Sequence, residues 1–422
     1  MMEPEILSVR LQGLPVGILR LTQEREMRFD YLEGADKPIS LSMPLTIASY
    51  GNAACETYFG GLLPEREQAR KAISRQYNVN PNSTFGLLSA IGQDCAGAIS
   101  FHAPNEPVEP GDAHETIVKK ISDKELEKHI VELPEKPLFV GIEDLRLSLA
   151  GMQEKAAVCL VDDKVCLALQ GTATTHILKP AMKNYPATVQ NEFLCMTTAT
   201  RLGLPVAKVQ IRQAKSQIYL LVARYDRRFD KQNKIHRLHQ EDFCQALQNM
   251  EKYERYYGPG LKDCFELTFD FNIPVVARNL LMEAVVFNFI MGNNDAHVKN
   301  FSVLYDERRA IKLAPLYDLL CTQVYEDWHE EKSKNLSSDM SMKIGENYLP
   351  KNVTAPDWEK LCLQVGFSFP MLKKIVDKQA GMVPQIVADE RKQLKGSQFD
   401  DPLLNKIVSR VKSNCARLER LF

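Results

Sequence analysis

Asp295, Asn300 and Asp318 are the side chains in this 422-residue chain whose types and spacing could do chemistry together. Two of them lie in Gly292-Asn293-Asn294-Asp295-Ala296-His297-Val298-Lys299-Asn300-Phe301-Ser302. The third ends Leu313-Ala314-Pro315-Leu316-Tyr317-Asp318, after an apolar, strand-like interval. One carboxylate near an attacking hydroxyl, with an amide oxygen and a second carboxylate as hard ligands for magnesium, is the set that phosphoryl transfer requires. That reaction is mainly positioning and charge neutralisation. The same residues also fit an Asn/Asp-rich turn between a helix and a strand, with Asp318 as a cap. Taken alone, they leave both readings open.

Other elements must hold such a loop. Val275 to Met291 is apolar except for Arg278, Asn279, Glu283 and Asn288, which predicts a buried helix stopped by Gly292. Upstream, Thr175-His176-Ile177-Leu178-Lys179-Pro180 reads as a strand ending in a lysine. That lysine is either a solvated charge or a cation for phosphates. A helix is expected from Asn191 to Leu202, stopped by Gly203 and Pro205. Glu192 near its start either pairs with Lys179 or sits exposed in the first turn. Residues 145–160 read as strand, glycine turn, strand. The Ser-x-x-Gly-x-Gln turn is either a plain hairpin or a set of N–H groups over phosphates, and no GxGxxG or Walker A motif is present. Gln217 to Ala223 is a strong strand running into the charged link Arg224-Tyr225-Asp226-Arg227-Arg228.

The 292–302 loop, followed by Ala314-Pro315-Leu316-Tyr317-Asp318, closely resembles the signature of HipA-type kinases, toxin components of bacterial toxin–antitoxin pairs. Ile39 to Leu45, Tyr58 to Glu65, Ile91 to Ile99, Leu145 to Leu160, His239 to Leu247, Met342 to Gly345 and Asp357 to Glu359 extend the likeness in the same order. The resemblance implies an α+β, bilobal protein-kinase-like fold. Residues 1–105 would form an N-terminal HipA subdomain, 106–118 a linker, 119–229 a strand-rich N-lobe, and 230–422 an all-helical C-lobe. It further implies ATP and Mg2+, with Asp295 as the catalytic carboxylate and Asn300 and Asp318 on the metal. Nucleotide contacts would come from Ser148, Ala150, Gly151, Gln153 and Lys155, from Lys179, from the hinge residues Ala223 and Tyr225, and from His297 and Lys299. Ala223 departs from the glutamate that the family often carries. His297 also fits a loop-packing role and Lys299 a solvated one.

The family autophosphorylates a serine in the phosphate loop, and Ser148 matches it. Its apolar neighbours place a docked hydroxyl at a turn lined by N–H groups. A phosphate there would compete with ATP or draw the loop to Arg224, Arg227 and Arg228. The implied partners are a helix-turn-helix HipB-like antitoxin, DNA mainly through that antitoxin, and a protein substrate such as an aminoacyl-tRNA synthetase. A kinase-fold scaffold or co-repressor acting through an antitoxin–DNA complex is the other reading. The intact Lys179, Asp295, Asn300 and Asp318 argue for the enzyme.

Length and composition set the bounds. Such a length predicts two or three domains, and 45% hydrophobic with 25% charged residues is ordinary for a soluble globular protein. A net charge of −1 gives no overall attraction to nucleic acid or anionic membrane. No apolar run is expected to reach the roughly 18 residues of a membrane span, and the acidic Met1-Met2-Glu3-Pro4-Glu5 lacks leader features. The ten cysteines form no CxxC and no zinc-spaced cluster, which predicts free buried thiols in a reducing cytoplasm. Helix starts are expected at Tyr58 to Glu67, with Pro64 in the first turn, and over 116–131. Pro104 to Asp112 reads as linker, 319–340 as a mobile polar loop, and Leu403 to Leu418 as a last amphipathic helix.

Overall fold

Alternating segments at the start of the chain pair into an antiparallel sheet, in the order Ser49–Tyr50, Met27–Tyr31, Leu14–Leu21, Ile6–Leu11, Ile99–His102. The computed structural model describes residues 5–108, 117–139, 142, 146–169, 171–232, 234–306, 308, 310–326 and 338–422. The opening Met1 to Pro4, the linker segment 109–116 and most of the charged loop after Asp318 (327–337) lie outside the described residues. A second, six-stranded antiparallel sheet has the order Val209–Ala214, Gln217–Ala223, His176–Pro180, Ala156–Val161, Lys164–Ala168, Val118–Lys120. Val9, Leu19, Phe29 and Phe59 from the first unit share one core with Leu147, Val158, Leu178 and Leu221 from the second. The N-terminal unit is therefore fused to the strand-rich lobe by apolar contact as well as by the chain.

The second large core gathers Leu194, Phe287, Val298, Trp358, Val376 and Ile407 around the helix Pro274–Met291. That helix begins with Pro274 at a first-turn position and ends on Gly292 at φ +70°, as its sequence dictates. It is 18 residues long and, against expectation, apolar enough by length and composition to cross a membrane; 67% of it is buried inside the fold as the central helix of the lobe. Emptying this packing, for instance by Phe287→Ala at a fully buried site, would cost about 3–5 kcal/mol. The helix Leu403–Leu421 buries Leu403, Ile407, Val411, Cys415 and Leu418, the stripe read from sequence. All ten cysteines are free and buried.

Several local expectations fail for physical reasons. The C-terminal lobe is mainly helical but also carries a three-stranded sheet, Gln240–Asp242, Ser302–Tyr305 and Ile311–Leu313, which frames the loop of Asp295. The region 116–131 contains the strand Val118–Lys120 and then the helix Asp123–Glu132, started by a capping box from Ser122 and Glu125. Tyr58 closes a helix, Asn52–Gly60, rather than opening one, and the next starts only at Glu67. Between them Pro64 lies outside any helix, because its backbone is spent on a parallel bridge to Gly151. For the same reason no hairpin forms over the described residues 146–160. Leu147 and Gly151 bridge to Asp94 and Pro64 of the N-terminal unit, and the strand Ala156–Val161 pairs with Lys164–Ala168 and His176–Pro180 instead.

Candidate active site

Past Gly292, a Cβ would meet the Gln323 side chain at 2.7 Å, so glycine serves both the turn and the close packing. The loop then folds on itself. His297 N donates to the Asp295 carbonyl at 2.8 Å and Asn300 N to the His297 carbonyl at 2.9 Å. Asn300 Nδ2 donates to the Asp295 carbonyl at 3.1 Å, which leaves its Oδ1 as the atom available to a metal. Asp295 Oδ1 accepts a hydrogen bond from the Tyr253 hydroxyl at 3.0 Å. Asn294 is structural: its amide donates to Thr322 Oγ1 and its Nδ2 to the Ser338 carbonyl.

Lys179, near the end of its strand, joins the two lobes. Its Nζ donates to Glu192 Oε1 at 2.6 Å and to Asp318 Oδ1 at 2.7 Å. Glu192 is buried in the helix Thr188–Leu202, which starts earlier than the sequence reading had it, so the carboxylate faces inward rather than solvent. Burial alone would favour neutral Lys179, but Asp318 and Glu192 outweigh it and hold its pKa above the lysine range. Burial likewise opposes charge on Asp318, yet Lys179 and Lys155 hold it well below the usual carboxylate range. Asp318 is fixed in a left-handed backbone conformation, φ +58°, an uncommon state for a non-glycine residue. Asn191, one residue before Glu192, locks the following turn by bonding both the amide and the carbonyl of Cys321.

The loop of Ser148, expected to cover phosphates, is docked on the N-terminal unit. Ser148 is fully buried, and its Oγ donates to the Leu62 carbonyl at 2.7 Å. The expected lining of N–H groups is thus replaced by an acceptor from the N-terminal unit. Ser148 N donates to the Asp94 carbonyl, and Glu65 N to the Gly151 carbonyl. Lys155 Nζ donates to the Ala150 carbonyl at 2.8 Å; burial first, then the charge of Lys179, push its pKa down to about 8. At φ +107°, a Cβ on Gly151 would stand 2.5 Å from that nitrogen, so only glycine lets the lysine fold back here. Gln153 is half-buried beside it.

The other candidates are tied into packing and ion pairs. Lys299 Nζ pairs with Asp242 at 2.8 Å and reaches the Gly61 carbonyl at 3.3 Å, so it is engaged with carboxylates and backbone rather than free in solvent. His297 is buried, with the Tyr253 ring packed edge-on at 5.4 Å, and burial lowers its pKa. In the hinge, Ala223 N is taken by the Lys208 carbonyl at 2.8 Å, and Tyr225 stacks on Tyr317 at 5.9 Å. Arg224 and Arg227 form no open cationic site. Both are buried and bound to Asp94 and Asp226, at 2.7 to 3.2 Å, which removes them as a landing place for a phosphoserine. Sequence reading missed Tyr253, Glu65, Lys252, Asp242 and Asp94. Each sits 40 or more positions from the partner that gives it meaning, and no short motif carries such a pairing.

The residues present suit magnesium bound with a polyphosphate. Among the described residues no group of three His, Cys, Asp or Glu side chains forms a metal cage. Asp318 and Asn300 would offer magnesium hard oxygens, with phosphate and water as the remaining ligands, and Lys179 and Lys155 place positive charge near Asp318.

A two-lobed α+β fold, with a strand-borne lysine tied to a helix glutamate and to a loop aspartate, is the arrangement of a protein-kinase site. The HipA-like C-terminal domain family matches residues 147–387 and the HipA N-terminal domain family residues 7–102. A Sinorhizobium fredii protein named "Putative kinase Y4mE" is 38% identical over 92% of this chain and 93% of its own. The serine/threonine-protein kinase toxin HipA of Shewanella oneidensis is 30% identical over 83% of this chain and 80% of its own. A chain in the structure of the Shewanella oneidensis HipA, HipB and operator DNA complex superposes with a TM-score of 0.84 at 26% identity, covering 98% of this chain and 99% of that one. The chain belongs to the HipA family of kinases.

Proposed function

We propose that the chain is the ATP-dependent kinase toxin of a toxin–antitoxin pair, acting on a serine or threonine of a protein. The observation that carries the reading is Lys179 shared between Glu192 and Asp318, since this contact aligns the phosphate-holding cation with the metal-holding carboxylate. Magnesium, when bound, neutralises charge on the transferred phosphoryl group. Asn300 and Asp318 would hold it, and Lys179 and Lys155 would hold the nucleotide phosphates. Asp295 orients the acceptor hydroxyl and takes its proton as the new O–P bond forms and ADP leaves.

The likeness to a HipA–HipB–DNA complex supports a helix-turn-helix antitoxin as partner, with DNA reached through it. A translation component such as an aminoacyl-tRNA synthetase is the substrate class that the family resemblance favours, and Ser148 is the site of self-inactivation. The test is Asp295→Ala, which should abolish transfer of labelled phosphate while Mg-ATP binding measured by calorimetry persists. Turnover near that of the unaltered chain in this variant refutes the assignment.

A further inference from the structure

Tyr253 has no place in the chemistry so far, yet its hydroxyl lies 3.0 Å from Asp295 Oδ1. The contact is built on both sides. Ser341 donates from both N and Oγ to the carbonyl of Asn294, the neighbour of Asp295. Glu254, the neighbour of Tyr253, donates from N to the Ser341 carbonyl at 3.1 Å and accepts from Lys343 N at 2.7 Å. A closed ring of bonds therefore runs from Asn294 through Ser341 and Glu254 to Tyr253 and back to Asp295. The phenol ring is fixed as well. His297 packs edge-on against it at 5.4 Å, the Lys252 ammonium lies 5.4 Å from its centre, and the Tyr253 amide donates to Glu251 Oε1 at 3.0 Å.

We propose that Tyr253 is a positioning residue for the transfer reaction, holding one oxygen of Asp295 so that the other faces the acceptor hydroxyl. Among the described residues, Oδ2 has no hydrogen-bond donor of its own, so one bond to Oδ1 decides the rotation of the carboxylate. Burial and the charge of Asp295 raise the phenol pKa above its ordinary range, so the hydroxyl stays a donor. In a loose phosphoryl-transfer transition state the proton moves late, so orientation outweighs basicity. The opposite role, a placeholder that the acceptor must displace, predicts faster transfer when the hydroxyl is removed.

The inference rests on the kinase reading, and the experiment separates the two. Tyr253→Phe removes only the hydroxyl and leaves the ring against His297. Phosphate transfer from labelled ATP is followed on the chain itself and on myelin basic protein as a generic Ser/Thr acceptor, with kcat and KM determined. Loss of an oriented, charge-bearing hydrogen bond should lower kcat about 10- to 100-fold, with KM for ATP and Mg-ATP affinity within about twofold. A structural role alone would move the melting temperature or KM instead. Unchanged or raised kcat in Tyr253→Phe beside an active wild type overturns this inference only. Absence of transfer to either acceptor by wild type overturns the kinase reading and this inference with it.

Discussion

Glu241 offers a quantitative test of how the N-terminal unit is seated on the C-terminal lobe. It lies on the strand Gln240–Asp242 and is 1% exposed. Ser40 Oγ donates to its Oε2, while Leu41 N, at 2.9 Å, and the Tyr305 hydroxyl donate to Oε1. Burial pushes its pKa up; the three hydrogen bonds pull it back and the neighbouring Asp242 charge adds to the rise, leaving it at about 7 against an ordinary 4.5. That gap corresponds to about 3 kcal/mol. Between those pH values the folded protein keeps a proton that the unfolded chain has released. The contribution is therefore fully present below pH 4.5 and lost as pH rises through 7. His239 and His176, each pushed down to about 4 by burial, act in the opposite sense over part of this window, so the wild-type profile alone decides nothing. The difference between Glu241→Gln and wild type isolates the group. Glutamine keeps the acceptor for Leu41 and Tyr305 and turns a donor to Ser40. Urea unfolding from pH 4 to pH 8 should show near-equal stability at the acid end and a variant more stable by about 3 kcal/mol at pH 8. Parallel profiles across that range, or a variant weaker at pH 8, would refute the reasoning.

Three other substitutions probe the site and its support. Asn300→Ala and Asp318→Ala should each weaken Mg-ATP binding by calorimetry, with Asp318→Ala the larger loss. It removes a charged ligand and also a partner of Lys179, and equal affinity in Asp318→Ala and wild type would exclude the metal role. Asp94→Asn should destabilise the fold by about 3–5 kcal/mol in denaturant unfolding. It strips the buried carboxylate that faces Arg224, Arg227 and Arg237, at 2.8 to 3.2 Å, and a change under about 1 kcal/mol would show that the cluster is screened.

The parts legible in the sequence are those fixed by neighbours a few residues away. An apolar run and a following glycine foretell the helix before Asp295. A β-rich stretch ending in Lys179, and the stripe from Leu403 to Leu418, are equally local. What was hidden depends on partners distant in the chain. Nothing near Pro64 says that its backbone will pair with Gly151, nor does anything around Ser148 reveal that Leu62 supplies its acceptor. Glu192 could be read either way until the third dimension buried it against Lys179. Arg224 and Arg227 looked like a surface patch because charge in sequence does not report the buried carboxylates of Asp94 and Asp226.

Those distant contacts converge on residues 61–66, which touch both the Ser148 loop and the Asp295 loop. Leu62 accepts from Ser148, Glu65 N donates to Gly151 and Arg66 pairs with Glu154, all in the loop 148–154. The Gly61 carbonyl takes Lys299 of the Asp295 loop, and Glu65 takes Lys252, next to Tyr253. A charge on Ser148 would face the Leu62 carbonyl, an acceptor where an anion needs donors, inside a space with no exposure. The loop must then leave, and its departure frees the 61–66 segment from one side. Ser148→Asp tests this without relying on self-phosphorylation. The amides of Glu65 and Ser148, bonded to Gly151 and Asp94, should lose protection by at least tenfold in hydrogen exchange, while the core helix Pro274–Met291 keeps its own. Wild-type protection at both amides would mean that the pocket accommodates the charge, and the coupling of Ser148 to residues 61–66 would have to be abandoned.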